Sequence, residues 1–471
     1  MQISKDKEMI DELFTRGVGQ FIDPDGIFRK KLENNPEKIV IKFGVDPTRP
    51  DIHLGHAVVL RKLRQFQNMG CKIVFLIGDI TAQIGDPTGK SKIRPEINID
   101  EIQKNMETYL NQVDKILLKD EKLFSWTMNS DWFVSINDII APVRRVDIFK
   151  EYSQKQYGTE TLPENDIYNK ALNWVETRRQ KNVIKNYTLI NFLAILRHVS
   201  HGRLIERDMF QDRIKNREPI FMHEMMYPVI QGIDSDAIYD IYGSCDLEVG
   251  GTDQHFNMLV GREVMEMNNK EPQAVLSFKL LEGTDGNAKM SKSLDNYVGI
   301  TDEPNDMYGK IMSIPDSSIC NYFELCTFTP LEEVEEIRKI LGVGEVNPKD
   351  LKMRLAREVV VIYYGESKAN EAQENFVNTF QKKEIPDDLE EVKYKDGDLL
   401  VDVLFENKVF ASKSEWRRLV EEGAVKILSE GKEPARPHDS SGAGGEKVTD
   451  FKILATPGVY KIGKRRFIKI V

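Results

Sequence analysis

Two short stretches of this chain carry side chains suited to binding a nucleoside triphosphate. The first runs from Asp46 to Thr48 and continues into residues 53 to 56, which read His-Leu-Gly-His. The second, residues 289 to 293, reads Lys-Met-Ser-Lys-Ser. Imidazole N–H groups can donate to phosphate oxygens as charge builds on them, and Gly55, which has no Cβ, lets a nucleoside lie against the backbone. The ammonium groups of the second stretch suit a leaving pyrophosphate.

The elements around the first stretch support the same chemistry. A strand-like run, Ile39 to Phe43, precedes it, and a helix-like run follows it as far as Met69 and stops at Gly70. A helix N-terminus presents free N–H groups and a partial positive charge, so that phosphates bind well there. His53 and His56 are three residues apart and therefore share one helix face.

Each stretch also has a simpler interpretation. A histidine pair at this spacing is typical of half a metal site or of a solvated helix face, and a charged loop is usually just solvated. The neighbouring Gly283 and Gly286 favour a flexible loop that brings Lys289 and Lys292 onto phosphates. The correct order of both stretches in one chain favours the nucleotide interpretation.

Composition indicates an ordinary globular protein of two or three domains. The chain has 471 residues, of which 40% are hydrophobic and 30% charged. It has no apolar run long enough to span a membrane and a polar N-terminus, so we expect a cytoplasmic protein with no membrane association. The cysteines lack Cys-x-x-Cys spacing, so the sequence indicates neither a protein-held metal site nor disulfides. We expect reduced, mostly buried thiols. They are Cys71, Cys245, Cys320 and Cys326.

Alternation of strand-like and helical runs between residues 36 and 300 predicts an α/β fold with a doubly wound, Rossmann-like parallel sheet. The predicted strands are Ile39 to Phe43, Lys72 to Ile77, Leu123 to Thr127 and Ala274 to Leu280. The expected domains are a catalytic domain (1–300, with an extra segment at about 139–185), a helical domain (301–383), an acidic linker (384–398) and a small α+β domain (399–471).

Charge distribution indicates that the last domain contacts nucleic acid. The net charge of −10 argues against general nucleic-acid affinity, because neutralising phosphates requires lysine and arginine. From Phe451 to Val471, however, basic residues occur without any acidic one. They are interleaved with the strand-like runs Val459 to Ile462 and Arg466 to Ile470, which favours a folded basic surface over a disordered tail.

A third set of residues suits the choice of a substrate. Tyr227, Gln231 and Asp234 are spaced by four and then three residues on a helix-like run and project from one face. Such a stripe could simply be solvated. The methionine-rich, apolar run from His223 to Ile233 around it is more typical of a pocket wall.

These motifs resemble those of class I aminoacyl-tRNA synthetases, and in particular of the bacterial tyrosyl-tRNA synthetases whose loop reads Lys-Met-Ser-Lys-Ser. The resemblance extends through Gly44 to Thr48, Ile77 to Asp79, Ile84 to Lys90, Asn129 to Trp132, Tyr227 to Asp234, Gly250 to Gln254 and Pro304 to Ile314. Residues 399–471 resemble the RNA-binding domain shared with ribosomal small-subunit protein four. Most of the chain is covered.

The resemblance implies a reaction in which ATP, with Mg²⁺, activates L-tyrosine to an adenylate, followed by transfer to tRNA(Tyr) by a homodimeric enzyme. The catalytic residues it implies are Thr48, His53, His56, Lys289 and Lys292. The ATP-binding residues it implies are Asp46, Gly55, Gly251 and Asp253. The tyrosine-binding residues it implies are Gly44, Thr81, Asp86, Asn129, Tyr227, Gln231, Asp234 and Gln254. The RNA-binding residues it implies are Lys413, Arg417, Arg418, Lys464 and Arg465.

Three features depart from the family. Lys42 occupies a position where many tyrosyl enzymes have a tyrosine near the substrate hydroxyl, and its ammonium group could pair with Asp234 or point away. The segment at about 139–185 matches nothing in the common pattern and puts the dimer geometry in doubt. Residues 431–446, rich in glycine, proline and serine, are expected to form a loop without chemistry.

Three alternatives remain open at this point. A tryptophanyl-tRNA synthetase would share the scaffold, although Tyr227 to Asp234 and Gly250 to Gln254 resemble tyrosyl enzymes more. A small-molecule adenylating ligase would explain the nucleotide site but not the RNA-binding domain. An RNA-binding or regulatory factor with a decayed catalytic domain would explain that domain, but not the intact histidines and lysines.

Overall fold

The computed structural model describes residues 7–87, 99–133, 187–378, 389–395, 397–407, 409–410, 413–428, 445–463 and 466–471. The chain divides into two compact units, Met1–Glu366 and Ser367–Val471. The predicted extra segment at 139–185 lies outside the described residues, as do residues 384–388 and 396 of the predicted linker and most of the loop at 431–446.

A six-stranded sheet forms the centre of the first unit in the part of the chain that the structure describes. Its strands are β1 (Val18–Ile22), β2 (Val40–Val45), β3 (Lys72–Ile77), β4 (Phe124–Met128), β5 (Leu247–Gly251) and β6 (Ala274–Phe278), in the order β1-β6-β5-β2-β3-β4. Strands β2 to β6 run parallel, and β1 pairs antiparallel with β6 at the edge. The parallel strands are almost wholly buried, as helices on both faces require.

The predicted α/β class is confirmed, as are strands β2, β3, β4 and β6. The sequence analysis missed β1 and β5. Strand β1 is only partly buried at the sheet edge, so its sequence lacks a continuous apolar run. Strand β5 contains Glu248 and ends in Gly250-Gly251, which are unusual features for a central strand.

Helices cover the sheet of the first unit. They are α1 (Lys7–Leu13), α2 (Ile27–Asn34), α3 (Leu54–Asn68), α4 (Asp79–Ile84), α5 (Ile99–Val113), α6 (Leu189–Leu196), α7 (His201–Ile205), α8 (Asp208–Lys215), α9 (Met222–Tyr242) and α10 (His255–Met267). Short 3₁₀ turns occupy Pro24–Gly26, Pro36–Lys38, Asn129–Asp131, Thr252–Gln254, Lys292–Leu294 and Asp316–Ser318. Helix α3 ends where predicted, next to Gly70, whose φ of 102° suits glycine.

Helix α9 is the central helix of the first unit's core. Val229, Ile233, Ala237 and Ile241 are buried, and they pack in a cluster with Trp132 and with residues of α10. Because its buried positions occur on every side, the helix is held rigidly by surrounding structure. The side chains that α9 directs toward the sheet are therefore fixed in place.

The predicted helical segment after residue 300 is helical, and it belongs to the first compact unit as far as Glu366. Its helices are α11 (Pro304–Met312), α12 (Ile319–Cys326), α13 (Leu331–Gly342) and α14 (Pro348–Phe376). Helix α14 is interrupted at Gly365, whose φ of 81° breaks the regular geometry beside the division between the units.

The second unit contains a sheet of its own. Strands β7 (Glu390–Val392), β8 (Val425–Leu428), β9 (Gly445–Lys447), β10 (Gly458–Ile462) and β11 (Arg466–Ile470) follow the order β7-β11-β10-β8-β9. Helices α15 (Leu400–Glu406) and α16 (Lys413–Glu421) contribute to a core that includes buried Trp416 and Tyr460. This confirms the predicted strands at 459–462 and 466–470.

No helix among the described residues is both long enough and apolar enough to cross a membrane. The four cysteines are free and buried, as predicted.

Candidate active site

A cavity of about 500 Å³ opens at the carboxyl ends of the parallel strands. Strand β2 lies between β5 and β3, so the strand order reverses at the β2–β5 pair. In open α/β sheets ligands bind in the crevice at such a reversal. Apart from Asn129, all the residues predicted to be catalytic, to bind ATP or to bind tyrosine line this cavity.

The two histidines sit at the start of α3. The backbone N–H of His53 donates to Nδ1 of His56 over 3.3 Å, so the proton of the neutral His56 ring is on Nε2. Burial, aided by Lys292 and Lys289, lowers the pKa of His56 to about 3. Burial also holds the pKa of His53 well below its ordinary value. Both rings are therefore neutral hydrogen-bond donors, which suits phosphate oxygens.

One ring nitrogen of His53, Nδ1, is buried without a hydrogen-bond partner in the described part of the chain. The His53 ring lies 3.9 Å from that of His56, measured between centroids. A Cβ on Gly55 would come within 3.0 Å of the same ring. The glycine thus keeps space clear beside the histidine at the helix N-terminus.

The two lysines of the second stretch are held differently. Lys289 forms an ion pair with Asp253, with Nζ and Oδ2 separated by 2.6 Å. Lys292 lies over the ring of Tyr109, and burial lowers its pKa to about 8. Lys289, predicted to contact pyrophosphate, and Asp253, predicted to contact ribose, are thus paired with each other.

Hydrogen bonds and close packing hold the loop around the lysines in place. Asn296 accepts a hydrogen bond from the Ser291 N–H and donates one to Asp285. A Cβ on Gly283 would lie 2.1 Å from the Asn296 amide, and one on Gly286 would lie 2.1 Å from Pro315. The glycines, which the sequence associated with flexibility, allow close packing of this turn.

Tyr227 and Thr81 converge on one carboxylate at the end of β2. Both hydroxyls donate to Asp46, over 2.8 Å and 2.7 Å. Asp46 was predicted to bind ATP, whereas Tyr227 and Thr81 were predicted to bind the amino acid. The structure therefore places Asp46 between the two predicted subsites.

Asp234 is buried against the cavity from α9. Its Oδ1 accepts from the indole N–H of Trp132 over 2.9 Å, and Asn129 also hydrogen-bonds it. Burial raises the pKa of Asp234 to about 8, although Lys42 and these hydrogen bonds act in the opposite direction. Asn129 does not line the cavity, and its amide also donates to Thr81 over 3.1 Å.

A chain of amides crosses the floor of the cavity. Gln254 donates to Asp86 over 2.6 Å and accepts from Asn257 over 3.1 Å. Asn257 also donates to Oε1 of Gln231 over 3.1 Å, and Nε2 of Gln231 donates to Glu248 over 3.0 Å. This chain connects three residues predicted to bind the amino acid.

Sequence reasoning missed Glu248, Asn257 and the role of Trp132, and left Lys42 undecided. In the structure Lys42 forms an ion pair with Glu248, Nζ to Oε1 2.9 Å, and not with Asp234. In the sequence, Lys42 and Glu248 each stand out as a charged residue inside an otherwise apolar run. Only the strand pairing shows that the two side chains meet.

The described residues contain no group of three or more histidine, cysteine or acidic side chains that could hold a metal ion. The site thus combines neutral imidazoles at a helix N-terminus, two lysine ammonium groups and a buried carboxyl group. That set suits positioning and charge stabilisation of a phosphate-containing substrate beside a small polar one.

Comparison with known proteins assigns a family to this site. The sequence model of the family described as tRNA synthetases class I (W and Y) matches residues 34–381. The chain belongs to this family. Similar proteins include one from Mannheimia succiniciproducens, 38% identical over 97% of this chain and 96% of its own length, and one from Clostridium acetobutylicum, 39% identical over 98% and 99%. They are named "Tyrosine--tRNA ligase" and "Tyrosine--tRNA ligase 2".

A solved class I (W and Y) synthetase shares the fold. The truncated mitochondrial tyrosyl-tRNA synthetase of Coccidioides posadasii matches 78% of this chain and 92% of its own, with a TM-score of 0.52 and 20% identity. At that identity the likeness concerns the fold alone. The predicted Rossmann-like α/β architecture is confirmed.

Proposed function

We propose that the chain is a tyrosine–tRNA ligase that activates L-tyrosine with ATP and transfers it to tRNA(Tyr). The observation that carries this proposal is Asp234, a buried carboxyl that lines the cavity and is held by the indole of Trp132. A phenolic hydroxyl is a matching partner for it, whereas phenylalanine would leave it unpaired at a cost. Relatives named tyrosine–tRNA ligase support the same choice.

Activation requires the tyrosine carboxylate to attack the α-phosphorus of ATP in line while pyrophosphate leaves. No side chain needs to bond covalently to the substrate, so the protein contributes positioning and charge stabilisation. His53 and His56 would donate to the phosphates with Thr48, and Lys289 and Lys292 would follow the pyrophosphate. Mg²⁺ would enter with the ATP phosphates, since this ion is usually bound by few protein ligands, and would reduce their charge.

The nucleoside and the amino acid would lie at opposite ends of the cavity. Gly55 and Gly251 would lie beside adenosine. At Gly251 there is no space for a side chain, since a Cβ there would come within 2.7 Å of Leu280 and Asp253. Asp253 would bind the ribose. Tyr227, Gln231 and Asp86 would hold the substrate ammonium, with Gly44, Thr81 and Gln254 completing that end and Asp46 between the two ends.

The second unit would bind tRNA. Arg417 and Arg418 are exposed on α16, and Arg417 lies over the ring of Phe451. Lys413, the first residue of the same helix, is also proposed to bind RNA. Lys464 and Arg465, also proposed to bind RNA, lie outside the described residues.

We infer that the enzyme acts as a homodimer in the cytoplasm. Helix α6 exposes Leu189, Ile190 and Leu193, with exposed fractions of 71%, 74% and 48%. An exposed apolar helix of this kind is typical of a protein interface. The molar mass in solution, measured by analytical ultracentrifugation, tests the dimer.

Amino-acid-dependent exchange of labelled pyrophosphate into ATP tests the proposed activity. Tyrosine, phenylalanine and tryptophan are compared at equal concentration. We expect exchange with tyrosine alone, because only tyrosine presents a phenolic hydroxyl to Asp234. Strong rejection of phenylalanine is well known for tyrosyl-tRNA synthetases, so we predict only the direction of this preference. Exchange driven by tryptophan, or by none of the three, would contradict the proposal.

A further inference from the structure

A buried ion pair lies under the amino-acid end of the cavity. Lys42 on β2 and Glu248 on β5 are register partners in the parallel strand pair where the sheet order reverses. Their side chains are 0% and 2% exposed, and both line the cavity. Burying two charges is costly unless further hydrogen bonds satisfy them, so the remaining partners of each indicate what the pair does.

Lys42 has no donor left for a substrate. An ammonium group has three N–H donors, and Nζ of Lys42 contacts three acceptors. These are Glu248 Oε1 at 2.9 Å, the backbone carbonyl oxygen of Gln231 at 2.8 Å and Ser235 Oγ at 2.8 Å. Lys42 therefore anchors Glu248 to helix α9 and does not act on the phenolic hydroxyl directly.

Glu248 in turn orients the Gln231 side chain. A carboxylate accepts hydrogen bonds only, so the end of the Gln231 amide that faces Glu248 must be its NH₂ group. Nε2 of Gln231 lies 3.0 Å from Glu248 Oε1, while Ser235 and Gln273 donate to Oε2. This fixes the side-chain carbonyl oxygen of Gln231 toward Asn257.

We propose that Glu248, held by Lys42, is a positioning residue for amino-acid binding that fixes the rotation of the Gln231 carboxamide. The correctly turned amide presents its oxygen to the substrate ammonium. Through Asn257, the same orientation extends to Gln254 and Asp86. This inference rests on the proposed activation of tyrosine. It names residues that affect binding of the amino acid but not binding of ATP.

The charges of the pair also balance each other at Asp234. Lys42 lowers the pKa of Asp234 and Glu248 raises it. Removing one charge alone would shift the pKa of Asp234, the group predicted to bind the substrate hydroxyl. Removing both charges would shift that pKa less. A variant that lacks both charges therefore separates the positioning of Gln231 from an electrostatic effect on Asp234.

The test uses three variants of the full chain: Glu248→Gln, Lys42→Met and the two combined. Steady-state pyrophosphate exchange gives KM for tyrosine and for ATP, and thermal unfolding gives stability. We expect Glu248→Gln and the double variant to raise KM for tyrosine about tenfold or more, because a carboxamide at 248 can face either end of the Gln231 amide and no longer fixes its rotation. KM for ATP should stay within about twofold. The double variant should be more stable than Lys42→Met, since it leaves no unpaired buried charge.

A matched control is available on the same helix. Arg213 of α8 and Glu224 of α9 form an equally buried pair, with Nη1 2.9 Å from Oε1, away from the cavity lining. The variant Arg213→Met/Glu224→Gln should lower stability while leaving KM for tyrosine unchanged. An equal rise of KM for tyrosine in this control, or parallel rises for tyrosine and ATP in the Glu248 variants, would overturn the inference.

Failure of the proposed function would look different. The unaltered protein would then give no tyrosine-dependent exchange at all. If the unaltered protein is active and the double variant has an unchanged KM for tyrosine, Glu248 does not position the amino-acid site. If the Lys42→Met variant fails to fold, the double variant still decides the question, because it buries no unpaired charge.

Discussion

Burial shifts the pKa values of several ionisable side chains of the cavity away from their ordinary values. His53 and His56 stay neutral, Lys292 has a pKa of about 8, and Asp234 also has a pKa of about 8. Lys292 and Asp234 can therefore change their charge near neutral pH, whereas the two histidines stay uncharged. Perturbed values of this kind are typical of functional sites.

Replacement of Asp234 separates amino-acid selection from nucleotide binding. We expect Asp234→Ala to reduce kcat/KM for tyrosine roughly 10- to 100-fold, the order for leaving a buried phenolic hydroxyl without its hydrogen-bond partner. KM for ATP should change little, because Asp234 lies at the predicted tyrosine end. Exchange kinetics with each substrate varied in turn give both values. Equal losses for tyrosine and ATP would show that Asp234 does not select the amino acid.

The raised pKa of Asp234 predicts how stability depends on pH. A carboxyl with a higher pKa in the folded chain holds its proton more tightly when folded. This contribution to stability is present in full below the unfolded value, near 3.8, and is lost as pH rises through about 8. Asp234→Asn cannot ionise and should lack that decline.

Urea unfolding of the unliganded protein and of Asp234→Asn, between about pH 5 and pH 8, measures this difference directly. We expect the unaltered protein to lose stability relative to the variant as pH rises. Parallel curves would mean that the pKa of Asp234 is not raised.

At the scale of elements, the sheet determines which residues meet. The strands and helices adjoining the two motifs could be predicted from their apolar runs, and so could the shared face of Tyr227, Gln231 and Asp234. The partner of Lys42 could not, because the sequence does not reveal that β5 returns beside β2. The packing of the Lys289 loop was also hidden, because glycine permits close contact as readily as flexibility.

Gly55 at the start of α3 allows a test in which stability and activity move apart. Alanine favours helices over glycine by about 1 kcal/mol, so Gly55→Ala should keep or raise thermal stability. The added methyl group would lie 3.0 Å from the His53 ring and displace it, so KM for ATP should rise. Gly309→Ala on α11, where the new Cβ meets nothing within 4 Å, is the matched control and should leave KM for ATP unchanged. Loss of activity in both variants would point to a general effect of the substitution.

The loop that carries Lys289 and Lys292 should act mainly on the chemical step. We expect Lys289→Ala/Lys292→Ala to slow adenylate formation by about a hundredfold or more, because these charges would stabilise the leaving pyrophosphate. Tyrosine affinity should stay nearly the same. Single-turnover kinetics and equilibrium binding of tyrosine measure the two quantities separately.

Exposed lysines of the same unit provide the control for loss of net charge. Lys30→Ala/Lys38→Ala removes two positive charges from the surface and should leave the rate of adenylate formation unchanged. A large fall in tyrosine affinity in the Lys289/Lys292 variant would refute the pyrophosphate role.

At the scale of the whole molecule, the residues of the two proposed tasks fall in different compact units. The residues around the cavity belong to Met1–Glu366, and the basic residues proposed to bind RNA belong to Ser367–Val471. The net charge of −10 hides this division, since the last twenty-one residues contain no acidic side chain. Activation of the amino acid and recognition of tRNA should therefore respond to different substitutions.

Arg417→Ala/Arg418→Ala tests that separation. Loss of two exposed cations should weaken tRNA binding and raise KM for tRNA in aminoacylation, and it should make the affinity less dependent on salt, because fewer counterions are released. Tyrosine-dependent pyrophosphate exchange needs no tRNA and should be unchanged. Glu421→Gln/Glu422→Gln removes two exposed charges of opposite sign from the same region and should leave tRNA affinity equal or higher. If the arginine variant impaired exchange as strongly as aminoacylation, the second unit would contribute to activation itself, and the proposed division of tasks would be wrong.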